Sequence, residues 1–155
     1  MKLAKNFSLK EMTASQTAER MNIINEPGQE ELVNLVYLCA NVLQPVREHY
    51  GKVVTVSSAF RCKELNTAIG SNSSTSQHVL GMAGDFELYG IDNLLVAKFI
   101  QHELEFDQLI LEFYSPPNGG WIHCSYNAFG ENRKKCLTAS RDENGKVQYK
   151  EGLNG

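Results

Sequence analysis

The stretch Ser76-Gln77-His78-Val79-Leu80-Gly81-Met82-Ala83-Gly84-Asp85 decides how the chain is read. A histidine enters from the end of a polar loop, Ser71 to Ser76. Two glycines and an alanine then keep the backbone slim, and an aspartate follows on a predicted strand, Met82 to Leu88. His78 and Asp85 stand seven positions apart in a segment too rich in glycine for one helix, so a turn at Gly81 has to bring them together. Imidazole nitrogen and carboxylate oxygen are both good zinc ligands, at about 2.0–2.2 Å. A backbone this slim suits close approach to a metal or a substrate.

Downstream, Trp121-Ile122-His123-Cys124-Ser125 reads as a strand in which Trp121, His123 and Ser125 share one face. If that face looks toward Asp85, His123 is a third ligand. Two histidines and one carboxylate leave a coordination position for water, as catalytic zinc sites do and structural ones do not. On the preceding strand, Phe106 to Phe113, the side chains of Gln108, Ile110 and Glu112 share a face. Glu112 is then placed to act as a general base. Spacing alone leaves the plainer readings open: a hydrogen-bonded structural histidine, a capping carboxylate at Asp85, a surface charge at Glu112, a pocket wall at Trp121. His49 and His102 are read as structural.

Outward from these segments, Ser8-Leu9-Lys10-Glu11 is a capping box that opens a helix ending before Asn25-Glu26-Pro27-Gly28. From Glu30 to His49, Leu32, Leu35, Val36, Cys39, Val42, Leu43 and Val46 follow helical spacing, with Pro45 kinking or ending the last turn. Lys52 to Ser57 is a strand, Arg61 to Ile69 a short helix stopped by Gly70, and Asn93 to His102 another helix. Ser115-Pro116-Pro117-Asn118-Gly119-Gly120 marks a hairpin with a longish loop. Asp142 to Gly145 is a further turn, with Val147 and Tyr149 on its return strand. Helices come first and strands later. That order predicts one α+β domain over 1–155, helices on a mainly antiparallel sheet, with 1–5 and 151–155 as frayed ends.

With 155 residues, 42% hydrophobic and 21% charged, the chain has the make-up of one globular domain with a real core. A net charge of −3 with scattered basic residues argues against a nucleic-acid binder; the Arg133-Lys134-Lys135 run reads as solvated surface. No apolar run is long enough to cross a bilayer, and no apolar segment follows the charged N-terminus. The expectation is a monomer made in the cytosol. Cys39, Cys62, Cys124 and Cys136 lack Cys-x-x-Cys pairing and are expected as buried free thiols.

The pattern Ser76-x-His78-x-x-Gly81-x-Ala83-x-Asp85 with a later Trp121-x-His123 resembles the signature of the zinc D-Ala-D-Ala carboxypeptidases and their phage endolysin relatives. These share a metal-site fold with lysostaphin-type peptidases and the hedgehog signalling domain. The segments Asn6 to Ser15, Ser57 to Arg61, Phe106 to Ile110 and Asn132-Arg133 are similar to stand-alone phage-encoded members, so the likeness covers roughly 6 to 150. The resemblance implies a hedgehog/DD-peptidase-like fold, Zn2+ held by His78, Asp85 and His123, and Glu112 as catalytic base. It further implies that Arg61 pairs with a substrate carboxylate, that Ser76 and Trp121 border the substrate, and that the substrate is the peptide of bacterial peptidoglycan. The protein would then reach the cell wall after release or delivery.

Two departures from the family pattern stand out. Many members carry His-x-His at the last ligand, where this chain has Trp121; others place the acid three residues before the final histidine, where it has Gly120. The rival expectations are a zinc-containing, non-catalytic binding or virion-assembly protein of the same fold, and a cysteine hydrolase using Cys124. Neighbours in a strand face opposite ways, which speaks against pairing Cys124 with His123.

Overall fold

Side chains alternate across a six-stranded sheet in the computed structural model, which describes residues 1–71 and 76–154. The strand order is β3 (Thr55–Ser58), β4 (Ala83–Glu87), β6 (Gly119–Ser125), β5 (Gln108–Ser115), β7 (Lys135–Arg141) and β8 (Val147–Glu151). Neighbours are antiparallel except β5 and β7, which run parallel. Phe86, Leu109, Leu111, Ile122 and Cys124 point to one face and are fully buried. Asp85, Ile110, Glu112 and His123 occupy the other.

Helices cover the apolar face. These are α3 (Gln29–Leu38), a π turn (Cys39–Leu43), α4 (Gln44–Tyr50) and α6 (Asn93–Glu103), contributing Leu35, Leu38, Val42, Val46, Val96 and Ile100 to one core. Each such side chain, fully buried, stabilises the fold by about 1.5–3 kcal/mol. The protein is therefore an α+β domain with a core face and an open face, and Asp85, Glu112 and His123 line a cleft on the open face.

Local chemistry refines several expected boundaries. The helix opened by the Ser8–Glu11 capping box is two helices, α1 (Leu9–Thr13) and α2 (Gln16–Met21), because the Ser15 hydroxyl accepts from Ala18 N–H at 3.1 Å and starts a second one. Pro45 does not end its helix, which runs on as α4 to Tyr50. The π turn before it lets Gln44 N–H reach the Cys39 carbonyl, and the wider turn absorbs the proline. The hairpin loop after β5 is short, with 116–118 between the two strands. Of the predicted 71–76 loop, residues 72–75 lie outside the described residues.

Among the described residues, both ends make contacts with the rest of the fold. Leu3 is 8% exposed and sits in β1 (Lys2–Ala4), which pairs with β2 (Phe7–Ser8). At the other end Glu151 closes β8, Gly152 N–H donates to the Cys136 carbonyl at 2.9 Å and Asn154 N–H to Thr138 Oγ1 at 2.8 Å. His49 stacks on Phe99 with ring centroids 3.9 Å apart, and His102 lies in the last turn of α6. Among the described residues no helix is long and apolar enough to cross a membrane.

Candidate metal centre

Strand register brings the distant ligands together. Asp85 on β4 lies directly opposite His123 on β6, so both side chains project from the open face. His78 arrives from the turn before β4. That turn is shaped by Gly81, whose φ is +74° and where a Cβ would stand 2.4 Å from the Glu31 carbonyl oxygen of α3. Only glycine fits there, which is the physical content of its place in the motif.

The donor atoms form a tight cluster. His123 Nδ1 lies 2.9 Å and His78 Nε2 3.3 Å from Asp85 Oδ1. Ligand atoms of all three residues fall within 4.8 Å of one another. Two atoms each about 2.1 Å from a tetrahedral ion stand about 3.4 Å apart, so the cluster has the right size for zinc. His78 Nδ1–H donates to the Ala59 carbonyl at 2.7 Å, which turns Nε2 toward the Asp85 carboxylate. A carbonyl partner on the far ring nitrogen supplies the orientation that metal-bound histidines use. Burial pushes the Asp85 carboxyl up, but the hydrogen bonds and charge of His123 and His78 outweigh it and hold it below the usual carboxylate range. A carboxylate that ionises this readily, beside two imidazoles, is a donor set able to hold a metal.

Glu112 is placed by the adjoining pair of strands. Ile110 lies opposite His123 and Glu112 opposite Trp121, so Glu112 is the diagonal neighbour of His123, about 7 Å away in Cα terms. Burial raises its carboxyl above the ordinary value; the His123 charge opposes this and the Asp85 charge adds to it. Gly120 has φ +79°, and a Cβ there would stand 2.1 Å from the Glu112 carbonyl oxygen. No side chain can occupy that position. Phe113 next to Glu112 has φ +52° at a register shift, a bulge that brings its ring to 5.4 Å from that of Trp121.

Arg61 reaches the same cleft but is already engaged. Its Nε donates to Ser58 Oγ at 2.9 Å, while Nη1 lies 3.5 Å from Asn66 Oδ1 and Nη2 3.4 Å from Asp85 Oδ2. Ser76 Oγ accepts from the His78 N–H at 3.3 Å and so braces the ligand turn. All seven residues singled out in the sequence, Arg61, Ser76, His78, Asp85, Glu112, Trp121 and His123, line one cleft of about 680 Å³.

Two cleft residues escaped the sequence reading. Arg133 is not free surface: its Nε and Nη2 grip the buried Asp107 carboxylate at 2.9 and 2.8 Å. Asp107 also accepts from Gln77 Nε2 at 2.8 Å, so this fork is linked to the residue that precedes His78. The hint in the sequence was an acid, Asp107, set beside Phe106 and Leu109, where a lone charge would be costly without a partner. Tyr149 on β8 is the other, and it lies near enough for the Glu112 charge to add to the burial that raises its phenol.

The cysteines take no part. Cys124 is fully buried on the core face, away from His123, and burial drives its thiol far up, as it drives Cys39 to about 12. Cys62 and Cys136 are free as expected but only half-buried, since each sits at an element end.

Comparison with curated proteins yields no match. The model of one protein family, Peptidase M15, matches residues 5–125. That span contains the three candidate ligands, Glu112 and the Gly81 turn, and stops before Arg133 and Tyr149. With most of its length matched, and with a His-Asp-His group positioned to bind a metal, the chain belongs to the Peptidase M15 family of zinc peptidases.

Proposed function

We propose that the protein is a zinc-dependent hydrolase of an amide bond in the peptide stem of bacterial peptidoglycan. It would act as a D-Ala-D-Ala carboxypeptidase or as an endolysin-like endopeptidase, phage-encoded and monomeric, and reach the wall after release or delivery. The observation that carries this reading is the convergence of two imidazoles and one carboxylate beside a half-buried glutamate.

His78, Asp85 and His123 would hold the zinc, which when bound would supply Lewis-acid polarisation of the scissile carbonyl and acidify water. Glu112 takes a proton from the attacking water as the new C–O bond forms. It then returns that proton to the amine nitrogen as the C–N bond breaks. Burial raises its carboxyl, which brings its affinity for a proton closer to what such a shuttle needs. Arg61 orients the substrate through a carboxylate; its bonds at 3.4 and 3.5 Å are long enough to yield to a better partner. Ser76 and Trp121 flank the peptide.

Metal analysis of the purified protein, with mass spectrometry of its products on purified peptidoglycan, tests the proposal. The expected result is zinc in the protein and new amine ends in the stem peptide, lost on chelation and restored by zinc. Zinc-loaded protein that releases no product would replace the hydrolase with a binding protein of the same fold.

A further inference from the structure

The cleft continues well past Glu112. On the open face, Trp121 of β6 pairs with Glu112 of β5, Glu112 with Ala139 of β7, and Ala139 with Tyr149 of β8. Directly paired residues point to the same face, so these four form one row running away from the metal ligands. Ala139 keeps the row low between its two larger neighbours and has no exposed surface. Strands lie about 4.8 Å apart, which puts Tyr149 about 10 Å beyond Glu112. An extended peptide advances about 3.3 Å per residue, so that distance spans about three residues. Tyr149 lines the cleft yet is 57% exposed, offering a ring face and a hydroxyl to something other than the core. Arg61, by contrast, stands at the β4 end beside Asp85.

We propose that the β7–β8 hairpin builds a distal subsite, walled by Tyr149, for the part of an extended peptide about three residues from the scissile bond on the side away from Arg61. The inference rests on the peptidase reading and deepens it: the preferred substrate is a peptide of four residues or more. A dipeptide would leave this wall untouched. Binding energy gained far from the reacting bond can be used at it, so longer peptides should turn over faster as well as bind better.

The test uses zinc-loaded full-length protein and synthetic stem peptides, from dipeptide to pentapeptide, that share one cleavable bond. Wild type should favour the pentapeptide over the dipeptide by about tenfold or more in kcat/KM, and Tyr149→Ala should collapse that ratio toward one. Tyr149→Phe, which keeps the ring, should retain most of it. Equal losses on short and long peptides would mean that Tyr149 merely supports the fold, and no loss would mean that peptides do not reach it; either result overturns the subsite. Calorimetry with the same peptides in a Glu112→Gln background reads the subsite without turnover. If wild type cuts none of the peptides, the hydrolase reading falls on its own. The subsite then stands only if affinity rises with peptide length and Tyr149→Ala cancels the rise.

Discussion

At the β4–β6 end of the cleft, the side chains of His78, Asp85 and His123 are 6%, 12% and 12% exposed, and every one is held by a neighbour. At the β7–β8 end, Tyr149 and the Arg133 side chain are more than half exposed. The difference is what the proposed function requires, an ion held at one end and a peptide at the other. A divalent ion is bound more tightly by ligands that are already oriented, because less ordering is then left to offset the gain. A peptide chain brings its own hydrogen-bonding groups and tolerates a wall that solvent still touches. One sheet serves both because its pleat sends alternate residues to the open face along the whole row of strands.

Breaking the buried end should have the largest effect. His123→Ala removes one of three ligands and leaves Asp85 facing a gap. Neighbours of ligands are worth 10–100-fold in affinity, so a ligand itself should cost more than about 100-fold, with hydrolysis lost alongside. Metal content after dialysis and the rate of product release measure the two together; a variant that kept its zinc would remove His123 from the ligand set. Glu112→Gln sharpens the contrast between holding the ion and using it. Zinc content should stay at the wild-type level while kcat falls about 10²–10⁴-fold, the usual worth of a positioned general base. A fully active glutamine variant would place the proton shuttle elsewhere.

The ligand end was largely legible in the sequence because its determinants are local. Asp85 and His123 sit on strands whose period of two fixes their face, and Gly81 announces a backbone that no other residue could follow. The far end was not, because it depends on pairing with no local signal. Arg133 meets Asp107 only because β7 runs parallel to β5, joining positions 26 residues apart. Nothing in Arg133-Lys134-Lys135 distinguishes a solvated run from one whose first member grips a buried acid. The same holds for Pro45, where the accommodating π turn belongs to the helix as packed, and for Leu3, whose burial needs the partner strand at Phe7.

The smallest expected effect lies at the joint between the two ends. Hydrogen bonds from Arg133 do most to hold the Asp107 carboxyl at about 2, against an ordinary 3.8; burial opposes them, and Gln77 adds to them. A carboxyl held low in the folded state stabilises the fold above about pH 4, and that contribution fades as pH falls toward 2. The full shift would amount to about 2.4 kcal/mol. Because the Arg133 side chain is 55% exposed, water screens the pair and about 1 kcal/mol is the expected worth. Denaturant unfolding of wild type and Asp107→Asn should therefore differ by about 1 kcal/mol at pH 6, with the gap narrowing between pH 4 and 2. Gln77 transmits the change toward His78, so zinc affinity in Asp107→Asn should fall by no more than about tenfold. A gap that stayed flat with pH would show that charge does not tie Arg133 to Asp107. The neutral hydrogen bonds alone would then couple the exposed end of the cleft to the buried one.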